Sequence, residues 1–296
     1  MGKRKTPKDP EALPDAPEVN NKRKNDDSDS DEDMDVVNVD FEWFDPHPEV
    51  DFHGFKNLLR QLLDIDAPLF NLSELADLIL SQPHLGSTVK VDGIDTDPYA
   101  LLTVLNLTTH KDKQVIKDLT AYLARHSTSP SLAALPALLD PSSSAQVGLI
   151  LTERFVNMPH EIVPPLYTML QDEIKSALEQ KEPYEFTHYL ILSKTYHEVA
   201  SNLPTADEPP SKKKKGTKSS EDAETFYFHP EDEVLHKHAL AWGSFDYETP
   251  ADEGASDSKR AFQELGIKPT GHLILIEAGK FAGAVDAVKT YLNGGQ

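Results

Sequence analysis

VGLILTERFVNMPHEIVPPLYTMLQDEIKSALEQKEPYEFTHYLIL, residues 147–192, runs from one short apolar segment through a helical stripe to another. The first six residues follow polar loop residues and suit a buried strand. Pro164-Pro165 fits a first helical turn, because proline already holds the required φ. Leu166, Met169, Leu170, Ile174 and Leu178 then recur at helical spacing and define one stripe. Residues 189–192 supply a strand core. Strand, helix and strand in that order belong to an α/β domain.

The segments on either side extend the same reading. Aromatic content and partial alternation over 39–44 predict a first strand ending at Asp45-Pro46. Phe52, Phe55, Leu58, Leu59, Leu62 and Leu63 predict an amphipathic helix. Asn71 with Glu74 three residues on reads as a capping box, opening a helix through Leu72, Leu75, Leu78 and Ile79 that stops before Pro83. Residues 87–91 read as a strand entering a turn at Asp92-Gly93, and 99–107 as a central strand. Val115, Ile116, Leu119, Tyr122 and Leu123 mark a further helix, and the Ser/Pro-rich stretch 127–144 holds only a short leucine-rich turn. Downstream, 225–228, 234–242 and 271–277 read as strands and 281–292 as a closing helix. The order predicts a single mixed β-sheet with helices on both faces, from residue 39 to the C-terminus.

Charge narrows the partners. The 296 residues include 50 Asp and Glu against 29 Lys and Arg, a formal charge of −21. An anionic surface gains no counterion-release attraction from nucleic acid, so basic proteins are the expected partners and direct nucleic-acid binding is not expected. The absence of cysteine excludes disulfides, thiol nucleophiles and cysteine-based metal sites. The N-terminus lacks the apolar core of a secretory signal, and no apolar run approaches the roughly 20 residues that cross a bilayer. A soluble intracellular monomer with no membrane association is expected.

Residues 1–38 are polar and charged with few large apolar side chains, which predicts a disordered tail. Within it, Asp26, Asp27, Asp29, Asp31, Glu32, Asp33 and Asp35 form an acidic tract suited to a basic partner. Ser28 and Ser30 have acids three residues on, the pattern of acidophilic kinases; phosphorylation would add roughly 1.5 to 2 negative charges at each. Lys3, Arg4, Lys5 and Lys22, Arg23, Lys24 resemble a bipartite nuclear import signal, and balance charge equally well. Two polar stretches, about 203–224 and 248–259, predict flexible insertions; the first carries Lys212, Lys213, Lys214 and Lys215, a third candidate import cluster or a solvated loop.

Chemical sites are sparse. Neither a GxxxxGK[ST] phosphate loop nor a GxSxG elbow occurs. The nearest approach to a coenzyme pyrophosphate motif, residues 263–268, places Lys268 where backbone must approach closely, and Pro269 and Gly271 then lead into a strand. Gly266 reads better as the close of a helix. His229, His236 and His238 stand near Glu231, Asp232 and Glu233, a conceivable imidazole–carboxylate metal site if the segment is a strand with His236 and His238 on one face. No metal or cofactor is expected on balance. Phe41, Trp43 and Phe44 are expected to pack on the first helix rather than form a docking surface.

Three stretches together resemble one family: VDFEWFDPHPEVDFHGFKNLLRQLLD (39–64), GLILTERFVNMPHEIVPPLY (148–167) and FYFHPEDEVLHKHA (226–239). They are similar to the BCCIP family, including its fungal BCP members, with Glu153-Arg154-Phe155 and Pro164-Pro165 the most specific part. The resemblance implies a nuclear, non-enzymatic protein with an acetyltransferase-like (GNAT-like) α/β fold that has lost its coenzyme site. In fungi it implies a chaperone for a basic large-subunit ribosomal protein of the universal L-fourteen type, together with nuclear export; shielding that partner through nuclear import and ribosome assembly, with contact to nuclear transport factors, is the expected role. In animal relatives it implies scaffolding in DNA repair and cell-cycle control. A divergent acyltransferase is the competing class, on fold analogy alone.

Overall fold

Eight strands form one mixed sheet: β1 (Glu42–Phe44), β2 (Ser87–Lys90), β3 (Ala100–Asn106), β4 (Val147–Arg154), β5 (His188–Glu198), β6 (Thr225–Tyr227), β7 (Ala241–Phe245) and β8 (Ile267–Glu277). Their order is β1-β2-β3-β4-β5-β8-β7, with β6 pairing the outer half of β5. Among the described residues only β4 and β5 pair in parallel. Among the described residues seven helices accompany them: α1 (Pro48–Leu63), α2 (Leu72–Leu80), α3 (Gln114–His126), α4 (Leu135–Leu139), α5 (Val163–Glu179), α6 (Glu231–His236) and α7 (Ala278–Asn293). The computed structural model describes residues 39–82, 84–127, 129–198, 225–250 and 266–294. Val39–Gln296 is one compact unit. The acidic tract, the two candidate phosphorylation serines, the three basic clusters and the 203–224 insertion lie outside the described residues.

Parity along the strands sorts the core into two layers. Register places Leu105, Leu149, Leu190 and Leu275 side by side on one face, and Val104, Ile150, Ile191 and Ile274 side by side on the other. The leucine face packs with α1, α2, α3 and α4, and the β-branched face with α5, α6 and α7. Because successive residues point to opposite faces, a one-residue slip would exchange the two sets, so both layers hold the register. Strands covered on both sides need no polar face, which explains why β3 and β4 are nearly continuous apolar runs.

Local signals place the helices. Pro48 opens α1, and Asp51 reaches back to accept from the backbone N–H of His47 at 2.7 Å. Asp51 is also paired with Lys90 of β2 at 2.6 Å, both side chains fully buried, which ties α1 to the edge of the sheet. Asn71 caps α2 as read, accepting from Glu74 N at 3.3 Å, but Glu74 returns to the Asn71 side chain, not its backbone, so only half of the box forms. Asp92 and Gly93 both take positive φ, 64° and 94°, in the β2–β3 connection.

Three expectations need correction. Residues 234–242 are not one strand: α6 ends at His236 and β7 begins at Ala241. Val234 and Leu235 are both buried, which alternation in a half-buried strand forbids, and Glu231, Asp232 and Glu233 favour a helix N-terminus. Leu178 leaves the α5 stripe and is exposed, Ala177 taking the buried position. Phe41 and Trp43 pack with the α5 layer, on the face opposite α1, because β1 presents alternate residues to opposite sides. Phe44 points toward the α1 side, where Lys90 Nζ stands 5.8 Å from its ring.

Leu190 is fully buried where the parallel and antiparallel ladders meet. Leu190→Ala is expected to lower unfolding free energy by about 2–5 kcal/mol in a urea titration, with an unchanged far-ultraviolet spectrum. A loss under about 1 kcal/mol would contradict this packing.

Candidate functional site

The parallel ladder stops early. It pairs Val147–Leu151 of β4 with His188–Leu192 of β5, yet β4 continues to Arg154 and β5 to Glu198. Beyond Leu192 the outer half of β5 finds β6 instead, through Thr195, Tyr196 and His197. The opening between the two strands is filled by charge from three elements: Glu153 and Arg154 from β4, Lys194 from β5, and His229, Glu231 and Asp232 from the β6–α6 corner.

Each charge in this knot has a partner. Lys194 Nζ lies 2.6 Å from Glu153 Oε2 and donates to the Gln61 carbonyl of α1 at 2.9 Å. Arg154 forms a fork on Glu231, at 2.5 and 3.1 Å. His229 bridges the two acids, with Nε2 3.4 Å from Glu153 and Nδ1 3.5 Å from Glu231. Ser193 donates to Asp232 at 2.5 Å. Gln61 Nε2 donates both to Glu153 and to the Arg154 carbonyl, at 3.0 and 2.8 Å, joining α1 to the end of β4. Glu153, His229, Glu231 and Asp232 are all at most 3% exposed.

The protonation states follow from this packing. Burial alone would raise the Glu153 carboxyl, but Lys194 and then His229 hold it down at about 2. Glu231 is likewise opposed by burial and held low by His229 and Arg154. Burial would neutralise His229, yet its hydrogen bonds to Glu153 and Glu231 raise it to about 9. For Asp232 burial wins: it is pushed up to about 7, with His229 opposing and Glu231 reinforcing. Opposite charges held together in this way brace the opening between the strands.

The histidines considered as metal ligands separate. His229 enters the knot, whereas His236 faces His272 of β8, Nε2 to Nε2 at 2.8 Å, with its ring stacked on Trp242 at 4.1 Å. His238 joins neither. The segment is helical, so residues 236 and 238 point in different directions, and no group of three or more His, Asp or Glu is placed to hold a metal among the described residues. Burial lowers His236 to about 4; burial and then the His236 charge lower His272 to about 3, so both imidazoles are neutral at physiological pH. His272 Nδ1 continues the chain to Ser244 Oγ at 2.9 Å. Of the coenzyme motif considered, residues 266–268 are described: Gly266 has φ 83°, and Ile267 and Lys268 already belong to β8, with Lys268 paired to Asp246 at 2.7 Å. The sequence pointed at Glu153-Arg154 through family resemblance, but its partners Lys194, His229 and Glu231 became visible only when register brought them together.

Comparison with known proteins places this arrangement. The BCCIP family model matches residues 36–235. The chain is 59% identical over 294 residues to Protein bcp1 of Aspergillus fumigatus, covering 99% of each. It is 51% identical over 254 residues to Protein bcp1 of Schizosaccharomyces pombe, 85% of this chain and 89% of that one. The crystal structure of BCP1 from Saccharomyces cerevisiae matches with a TM-score of 0.58 at 25% identity, over 91% of this chain and 98% of that one.

The knot predicts a pH profile. His229 has a folded value above its unfolded 6.5, so its contribution is complete below pH 6.5 and lost as pH rises to about 9. Asp232, raised from 3.8 to about 7, destabilises progressively as pH rises across that window. Glu153 acts at the other end, its contribution present above pH 4.5 and lost toward 2. Melting temperature is expected to fall between pH 6.5 and 9, and His229→Gln to flatten that limb; an unchanged slope would refute the assignment. Arg154→Met leaves buried Glu231 short of its main cation and is expected to cost about 3–5 kcal/mol in denaturant unfolding.

Proposed function

The chain belongs to the BCCIP family, and on that footing we propose that it is an acidic nuclear chaperone and carrier for a basic large-subunit ribosomal protein of the universal L-fourteen type. In this reading it shields the partner's cationic surface during nuclear import and ribosome assembly, shuttles with nuclear transport factors, and works as a monomer by binding rather than by catalysis.

The observation that carries the reading is where the charge resides. The first 38 residues hold 11 acidic and seven basic side chains, so only −4 of the −21 belongs to them and −17 belongs to residues 39–296. The folded unit is therefore itself a strong polyanion. Such a surface competes with RNA for Lys- and Arg-rich patches, and the tail adds to a field the domain already has. The basic clusters at 3–5, 22–24 and 212–215 suit import of the loaded complex.

An acetyltransferase-like ancestry without a coenzyme site fits the same picture. Among the described residues the sheet is antiparallel apart from one parallel pair that diverges, the kind of opening in which a ligand's pyrophosphate meets a helix N-terminus. Here the Glu153–Lys194–His229 knot fills the opening. The helix after β4 begins Val163-Pro164-Pro165, and prolines at two of its first three positions remove amide donors that a phosphate cradle needs.

The test mixes purified full-length chain with the purified basic ribosomal protein in a titration calorimeter across a salt series. Saturable binding that weakens steeply with salt is expected. Absence of binding at low ionic strength, together with a lysate pull-down free of basic ribosomal proteins, would refute the proposal; recovery of repair or cell-cycle proteins instead would favour the scaffold role of animal relatives.

A further inference from the structure

On the leucine side of the sheet, α3 does two jobs. Its inner stripe of Val115, Ile116, Leu119, Tyr122 and Leu123 is buried in the core. A second stripe, Lys117, Thr120, Ala121 and Ala124, follows i, i+3, i+4, i+7 spacing and lines a cleft of about 350 Å³. Leu138 and Leu139 of α4 form the opposite wall, and Leu107 and Val147 lie beneath it at the ends of β3 and β4. The volume falls in the range of sites for small ligands and inserted side chains, about 300–1,000 Å³. Small residues on α3 keep the cleft open: Ala121 is exposed and Ala124 half-buried, so neither side chain fills it.

The lip of this cleft runs against the charge of the molecule. Lys111 and Lys117 line it, and among the described residues neither ammonium has a carboxylate partner. The single acid in the lining, Asp140, turns its carboxylate to Ser142, accepting from its backbone N–H at 2.8 Å and its hydroxyl at 2.5 Å. Asp118, next to Lys117, accepts from Gln114 at 2.8 Å and does not line the cleft. The same end of α3 has no acid in its first turn, and Lys113 at its N-cap makes no side-chain cap, so the positive end of the helix dipole adds to the lysines. In a unit that carries −17, an apolar cleft rimmed by unpaired cations selects a partner opposite in charge to the one proposed above.

We propose that the α3–α4 cleft is a docking site for an acidic amphipathic peptide segment of a partner protein, whose apolar side chains enter between Ala121 and Leu138 while its carboxylates meet Lys111 and Lys117. A small anionic ligand in the same cleft is the competing occupant, and the peptide is favoured because the lining runs along a stripe of α3 with the two lysines at its rim, matching an apolar face bordered by carboxylates.

The test uses full-length protein and a fluorescein-labelled synthetic helical peptide bearing leucines on one face and glutamates elsewhere, followed by anisotropy. Saturable binding is expected, with a weakening of about tenfold or more for Lys111→Glu/Lys117→Glu. Ala121→Trp, an exposed position whose new ring fills the cleft, is expected to abolish binding while leaving charge and melting temperature unchanged. A control peptide with lysines replacing the glutamates should not compete. The proposal is overturned by absence of saturation, by equal binding to either variant, by equal competition from the lysine peptide, or by a heteronuclear NMR map that places the shifts away from α3 and α4. Because the probe is anionic, none of these outcomes bears on binding of the basic ribosomal protein.

Discussion

The parallel register between β4 and β5 is the constraint on which the rest of the molecule depends. It is the one parallel pairing among the described residues, it needs α5 as a crossover, and it ends at Leu151 and Leu192 with both strands still extending. Two diverging strands expose backbone and a crevice. In this protein the crevice is closed from both faces: Gln61 of α1 reaches Glu153 and Arg154, while the β6–α6 corner delivers His229, Glu231 and Asp232. The buried ions follow from that topology. Once three elements converge at an opening between strands, polar groups there must satisfy one another, because each left unpaired would cost several kcal/mol.

This arrangement puts buried charge to work in stability. The charges of the knot neutralise one another, so the Glu153-Arg154-Phe155 block works as a brace. The paired imidazoles His236 and His272 are neutral because they are buried among Trp242, Tyr227 and Ser244, away from the carboxylates that keep His229 charged.

Much of the fold was legible in the sequence. Long periodic segments announced α1, α3, α5 and α7, and the Pro164-Pro165 pair marked where α5 starts. The failures have physical reasons. Residues 234–242 misled because an apolar pair, Val234-Leu235, fits either a buried strand or a short helix, and only packing against α7 decides. Phe41 and Trp43 lie in the layer opposite α1 because β1 follows the sheet's parity, which is invisible until register with β2 is known. The site was less legible than the fold. Glu153 with Lys194, and Arg154 with Glu231, are partners separated by tens of residues, and no local pattern announces them. The α3–α4 cleft was hidden for a simpler reason: alanines on a helix read as propensity until a neighbouring wall makes them a gap.

The central claim is that the folded unit, more than the acidic tail, carries affinity for a basic partner. Its most direct test is the equilibrium affinity and association rate of residues 39–296 against the full-length chain for the same purified large-subunit ribosomal protein at fixed salt. The account predicts that the domain retains most of the affinity and the steep salt dependence, with association somewhat slower without the tail. Loss of binding by the domain, with retention by an isolated peptide of residues 1–38, would contradict it.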